Sequence, residues 1–195
     1  MRRTVIKALA GVVGAAVLAA AGTLTVEAAA KTLEVRYRLE FGAEKNFAAP
    51  RAVKSGETFK VGVRAASAAN VYLLVSKTEN EYSLVLPRKA SSRVRANQWV
   101  SLPGEGEAFR VDRQTGVERM YLIVSDAPVD ELEDLIADGK PPDMLDESWI
   151  LEVRDQYAGD GDLRRRRQAG AVALTFTVPA EPAVIVEQIV LRHQR

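Results

Sequence analysis

Leu33, Val35, Tyr37, Leu39 and Phe41 alternate with Glu34, Arg36, Arg38 and Glu40. A period of two is what an extended strand with one buried and one wetted face requires, and a helix cannot satisfy it. The pattern recurs along the chain. After a loop through Gly42 to Pro50, the Ser55-Gly56 turn leads into Phe59, Val61, Val63 and Ala65. Val71 to Val75 and Tyr82 to Leu86 are runs of β-forming residues joined by the polar link Lys77 to Glu81, which has hairpin length. Pro87 stops the second run, and Trp99 to Leu102 and Phe109 to Val111 predict brief strands ended by Pro103-Gly104 and Gln114-Thr115-Gly116. Met120 to Val124 is apolar on both faces, which predicts a central strand covered from two sides.

The period then changes. Pro128, Leu132, Leu135 and Ile136 predict a short helix with Asp126 as its N-cap and Gly139 past its end. Leu145, Trp149, Val153 and Tyr157 share one face of a second helix predicted from Asp143 to Tyr157, closed by Gly159. Strand character returns at Val172 to Val178 and in the β-branched run Val184 to Leu191. The expected fold is mainly β: an antiparallel β-sandwich, Ig-like or a partly open barrel, with a two-helix insert over about residues 126–158 before the last two strands. No linker divides residues 31–195, which are read as one domain.

Arg2, Arg3 and Lys7 precede an uncharged stretch from Ala8 to Val26, and Ala28 and Ala30 supply small side chains before a cut at Lys31. This is the layout of a signal peptide over residues 1–30, so a periplasmic or secreted protein is expected; a retained membrane anchor is the alternative. Cleavage removes three basic residues and one acidic residue, leaving 24 basic against 25 acidic. A field so nearly neutral predicts neither nucleic-acid binding nor general membrane adhesion, so electrostatic function must come from local patches. The chain has no cysteine, which excludes disulfides, a thiolate nucleophile and a zinc ribbon. The single histidine, His193, sits in a C-terminal segment expected to fray and leaves little transition-metal chemistry. No metal ligands, cofactor-binding residues or catalytic residues are assigned.

Val53-Lys54-Ser55-Gly56-Glu57, Val71 to Val75, Leu84 to Pro87, Trp99 to Pro103, Phe109, Gly116-Val117-Glu118 and Tyr121 to Ser125 together resemble the bacterial domain of unknown function 4384 family over roughly residues 50–127. The chain departs from the family's pattern at Glu79-Asn80-Glu81, where relatives have a glycine turn, and at Arg88, where they have Asn. The resemblance implies an extracytoplasmic β-rich module, sometimes joined to peptidase-like or kinase domains, and brings no established catalytic residue with it.

Thirteen acidic residues between Asp126 and Asp162 face only Lys140 and Arg154, and Arg164, Arg165, Arg166 and Arg167 follow at once. The arginines would form an exposed basic loop for an anionic partner; the more ordinary reading of such a charge run is that they pair back onto a solvated acidic face. Asp155, Asp160 and Asp162 beside Gly159 and Gly161 invite calcium, yet their spacing is not that of an EF-hand loop. Trp149, Trp99, Tyr72, Tyr82 and Tyr121 would serve either a stacking surface or core packing. The run Val184 to Leu191 would alternatively present an open edge to a partner's strand. The favoured function is an exported, non-enzymatic interaction module of the cell envelope that binds an unidentified protein or polymer, with Arg164 to Arg167 and Trp149 as candidate contacts. The other reading is an accessory enzyme acting on cell-wall or glycan substrates through carboxylates of the acidic insert.

Overall fold

A computed structural model describes residues 30–42, 45–76, 81–86, 92–113, 115–137, 145–158, 161–168, 170–178 and 182–194. Residues 1–29 of the export segment expected over 1–30 lie outside the described residues, as do positions 77–80 of the hairpin link, Gly139, Gly159 and Asp160.

The described residues form fourteen strands in two sheets. The first sheet runs in the order β12 (Asp162–Gln168), β13 (Ala171–Val178), β1 (Lys31–Phe41), β4 (Thr58–Ala65) and β8 (Val100–Leu102), with β2 (Lys45–Phe47) on β1 and β9 (Phe109–Arg110) on β4. The second runs β11 (Leu145–Asp146), β6 (Glu81–Leu86), β5 (Ala69–Ser76), β10 (Gly116–Ser125), β14 (Val184–Gln194) and β3 (Arg51–Lys54), with β7 (Ser92–Val94) on β5. All pairs are antiparallel except β3 on β14. The alternating run of β1 drops Leu33, Val35, Tyr37, Leu39 and Phe41 into the space between the sheets, where they meet Val61, Val63, Leu73, Met120, Leu122, Val124 and Ile189.

The opposite face of the second sheet is covered by α1 (Asp130–Ala137) and α2 (Glu147–Ala158), so β10 is buried on both sides as its unbroken apolar run requires. Tyr72, Leu74, Tyr121, Ile123 and Val184 pack there against Leu132, Ile136, Ile150 and Val153. The molecule thus has three layers: sheet, sheet and helices.

Several local expectations are corrected. Asp126 does not cap α1: its carboxylate accepts from the Ala183 amide at 3.1 Å and pairs with Lys31 at 2.6 Å, tying the chain before the helix to both sheets. The second helix starts at Glu147 rather than Asp143, because Leu145 and Asp146 pair with Tyr82 and Glu81 as a short strand and Asp146 then caps the helix through the Ser148 amide at 2.8 Å. Arg164 to Arg167 form no loop. They are the middle of β12, paired along its length with β13, so three strands rather than two follow the helical insert. A strand exposed at every position carries no apolar alternation by which it could be recognised. Val184 to Leu191 is paired with β10 along one side throughout, whereas β3 covers its other side only from Leu191 onward.

Replacing Leu132, which is fully buried between α1 and the second sheet, by alanine is expected to cost about 2 to 5 kcal/mol in urea unfolding. A loss below 1 kcal/mol, on that same scale for buried leucines, would mean that the helix layer is not packed as described.

Candidate functional site

The period of two divides the arginine run. Arg165 and Arg167 stand opposite Leu174 and Val172, which point into the sandwich, whereas Arg164 and Arg166 stand opposite Thr175 and Ala173 on the outer face. Register then carries the outer row across the sheet: Arg166 pairs with Ala173, Ala173 with Arg36, and Arg36 with Arg64. Three arginines therefore lie in one line over four strands, a span of about 14 Å at the usual strand spacing. Among the described residues Arg36 and Arg166 make no ion pair, and Arg64 donates to Asn97 Oδ1 at 3.3 Å. These side chains, with Glu34 and Arg164, line an open groove of about 390 Å³. Arg164 is already paired with Asp162 at 2.8 Å.

The neighbouring row is neutral. Arg38 donates to Glu40 at 2.8 Å and lies 4.0 Å over the ring of Trp99, while Ser101 donates to the other carboxylate oxygen of Glu40 at 2.6 Å. A side chain at Gly62, beneath this cluster, would overlap the Glu40 carboxylate and the Arg38 stem. Glycine lets these two side chains lie close over the β4 backbone.

Arg165 serves a different purpose. It reaches the carboxylate of Glu187, which is buried on the inner face of β14 and also accepts from Tyr37 Oη at 2.6 Å. Burial, reinforced by the Glu187 charge, pushes the Tyr37 phenol well above its ordinary range. A buried carboxylate is tolerable only with such partners, so this cluster reads as an anchor between the sheets rather than a docking group.

Trp149 is half-buried against the helix-side cluster, on a different layer from the arginines, so the two candidate contact groups are not brought together. Three carboxylates of the acidic insert are taken up by tyrosines, two of them on the second sheet and one between the helices, while Asp130, Asp134, Glu152 and Asp155 are exposed. Glu133 accepts from Tyr72 at 2.5 Å, Glu147 from Tyr121 at 2.6 Å and Tyr82 at 3.2 Å, and Glu131 from Tyr157 at 2.8 Å. The tyrosines are core residues with polar tips. Asp155 pairs with Arg154 and Asp162 with Arg164, so these two aspartates of the calcium reading are engaged by arginines.

His193 is not frayed. It is a buried member of β14, opposite Gly116 and Val53, and its Nε2 lies 2.9 Å from Ser55 Oγ. Asp112 and Glu118 stand beside it, with candidate ligand atoms of all three within 4.8 Å of one another. Burial, and after it the Asp112 charge, raises the Glu118 carboxyl above the usual range, against a smaller opposing effect of His193. This constellation escapes sequence reasoning because its members lie 81 positions apart between first and last. The one available signal was that His193 continues the buried period of Ile189 and Leu191.

With this geometry in view, residues 52–128 match the model of the family described as Domain of unknown function (DUF4384), in agreement with the resemblance read from the strand and turn motifs. The matched region runs from within β3 to just past β10 and supplies strands to both sheets, but β1, β12, β13 and β14, which complete them, lie outside it. Neither the search of curated proteins nor that of solved structures returned a match.

All five tyrosines are shifted upward, primarily by burial, Tyr121 and Tyr157 to about 12. The unfolded chain therefore loses phenolic protons near pH 10 while the folded chain still holds them, so stability present below about pH 10 falls as pH rises towards 12 and beyond. In an alkaline titration, phenolate absorbance is expected to appear together with loss of circular dichroism. Phenols ionising near pH 10 in a still-folded protein would contradict these burial assignments.

Proposed function

We propose that the chain is an exported, non-enzymatic interaction module of the bacterial cell envelope, and that it docks a carboxylate-rich segment of a partner on the outer face of its first sheet. The observation that carries this reading is the line of Arg166, Arg36 and Arg64. Like charges directly opposite on a sheet destabilise it, as Arg36 and Arg64 do here, and a bound anion relieves that repulsion. Guanidinium groups suit the task, because each offers a planar fork of donors that a carboxylate can accept in pairs. The surrounding features agree with recognition by a surface. The groove is open, Glu34 is the one acidic residue lining it among the described residues, and Arg64 donates to Asn97 there. The basic segment read from the sequence is thereby narrowed to Arg166 with the β1 and β4 arginines, with Arg164 at the margin.

Export rests on the basic start and uncharged stretch of residues 1–30 together with the family resemblance. Expressed in a bacterium, the protein is expected in the envelope or medium with a mature N-terminus at Lys31 by intact mass; full-length protein confined to cytosol would contradict export.

Poly-L-glutamate is a suitable probe for the docking face. Wild-type binding should weaken steadily with added salt, since exposed charges are screened. The double variant Arg36→Gln/Arg166→Gln, altered only at exposed positions, should bind about tenfold more weakly at low salt, a difference of about 1.4 kcal/mol. Equal affinity of variant and wild type would remove the arginine line as the docking site.

A further inference from the structure

We propose that Asp112, Glu118 and His193 bind a divalent transition-metal ion, zinc before others, at the end of the sandwich where β10 and β14 meet the Ser55-Gly56 turn.

Four chain segments converge there. His193 lies on the inner face of β14, and the residue opposite it is Gly116, where an added Cβ would meet nothing within 4 Å, so there is room in front of the ring. Glu118, opposite Leu191, is the diagonal neighbour of His193 on the same face of the ladder, within reach for a long side chain. Asp112 is held from the other side. The Gly56 amide donates to Val111 O and the Val111 amide to Glu57 O, both at 2.9 Å, which clamps the segment after β9 to the turn that carries Ser55.

The donor set points to the class of ion. One imidazole nitrogen and two carboxylate oxygens are zinc donors, and three protein ligands leave a position for water. Calcium takes six to eight oxygens and gains nothing from a histidine. The candidate donor atoms all lie within 4.8 Å of one another, against the roughly 3 to 4 Å expected around an ion with bonds of about 2.0–2.2 Å. Asp112 is exposed and Glu118 partly so, which gives both carboxylates freedom to turn toward an ion. With its proton on Nε2, His193 donates to Ser55 Oγ, the kind of outer hydrogen bond that orients a ligating ring, and Nδ1 is the metal-binding nitrogen. Two carboxylates drawn this close repel, and a dication reverses the local balance. Asp112 and Glu118 also line a cavity of about 180 Å³ whose other walls include Phe59, Phe109 and Met120, which leaves space for a fourth ligand.

The test is calorimetric titration of chelator-treated full chain with zinc, manganese and calcium chlorides, alongside thermal unfolding with and without zinc. One zinc per chain with micromolar affinity is expected, with a zinc-dependent rise in Tm. The Asp112→Asn/Glu118→Gln double variant should lose at least about 100-fold in affinity, and Ser55→Ala about tenfold, as for outer-shell partners of metal ligands. These variants leave the buried His193 in place, so folding, checked by circular dichroism, is expected to persist. No zinc binding, a preference for calcium, or zinc affinity unchanged in the double variant would each overturn the site. Loss of poly-L-glutamate binding in the arginine variants leaves this result unaffected, because the two sites share no residue.

Discussion

The second sheet has to be dry on both faces, and the rest of the molecule follows from how that is achieved. On its inner side Met120, Leu122 and Val124 of β10 meet the β1 face, while on its outer side Tyr121 and Ile123 need the helices. Placing tyrosines at such positions brings polar tips into the interior, and each requires a partner. Glutamates on the helices supply these: Glu133 for Tyr72, and Glu147 for Tyr82 and Tyr121. The acidity of the insert, conspicuous in the sequence, is thus partly a set of fasteners between layers.

The inner core contains one comparable device. Glu187 is a carboxylate on the inner face of β14 between Ile185 and Ile189, and Tyr37 and Arg165 of the first sheet converge on it. Only the carboxylate of this pair is buried, the Arg165 side chain being half exposed; leaving Glu187 without its partners is costly, so the cluster penalises alternative registers of β12 and β14. It also means that four consecutive arginines do not act as one patch. Alternation turns Arg165 toward Glu187, with its side chain still half exposed, and Arg166 outward to the line it forms with Arg36 and Arg64.

Much of the scaffold was legible from residues alone. β1, β4, the β5–β6 hairpin and the doubly covered β10 follow from alternation or from unbroken β-branched runs bounded by turn residues. The misreadings share one cause. β12 is exposed at every position, so the burial signal on which periodicity depends is missing. Leu145 and Asp146 look like the start of a helix because their spacing from Trp149 is helical, yet pairing with β6 claims them first. Asp126 has the composition of a cap and the position of one, but its partners Lys31 and Ala183 come from distant strands.

The order of strands and turns, the choice of a sheet-built body and the presence of a basic segment after the acidic one were determined by the sequence itself, because propensity and period act between near neighbours. Which residues face one another was decided only in three dimensions. Arg36, Arg64 and Arg166 are brought into line by strand register, and Ser55, Asp112, Glu118 and His193 are gathered by the closure of one end of the sandwich. Cross-strand pairing joins positions more than a hundred residues apart through backbone hydrogen bonds that carry no mark of the side chains they align.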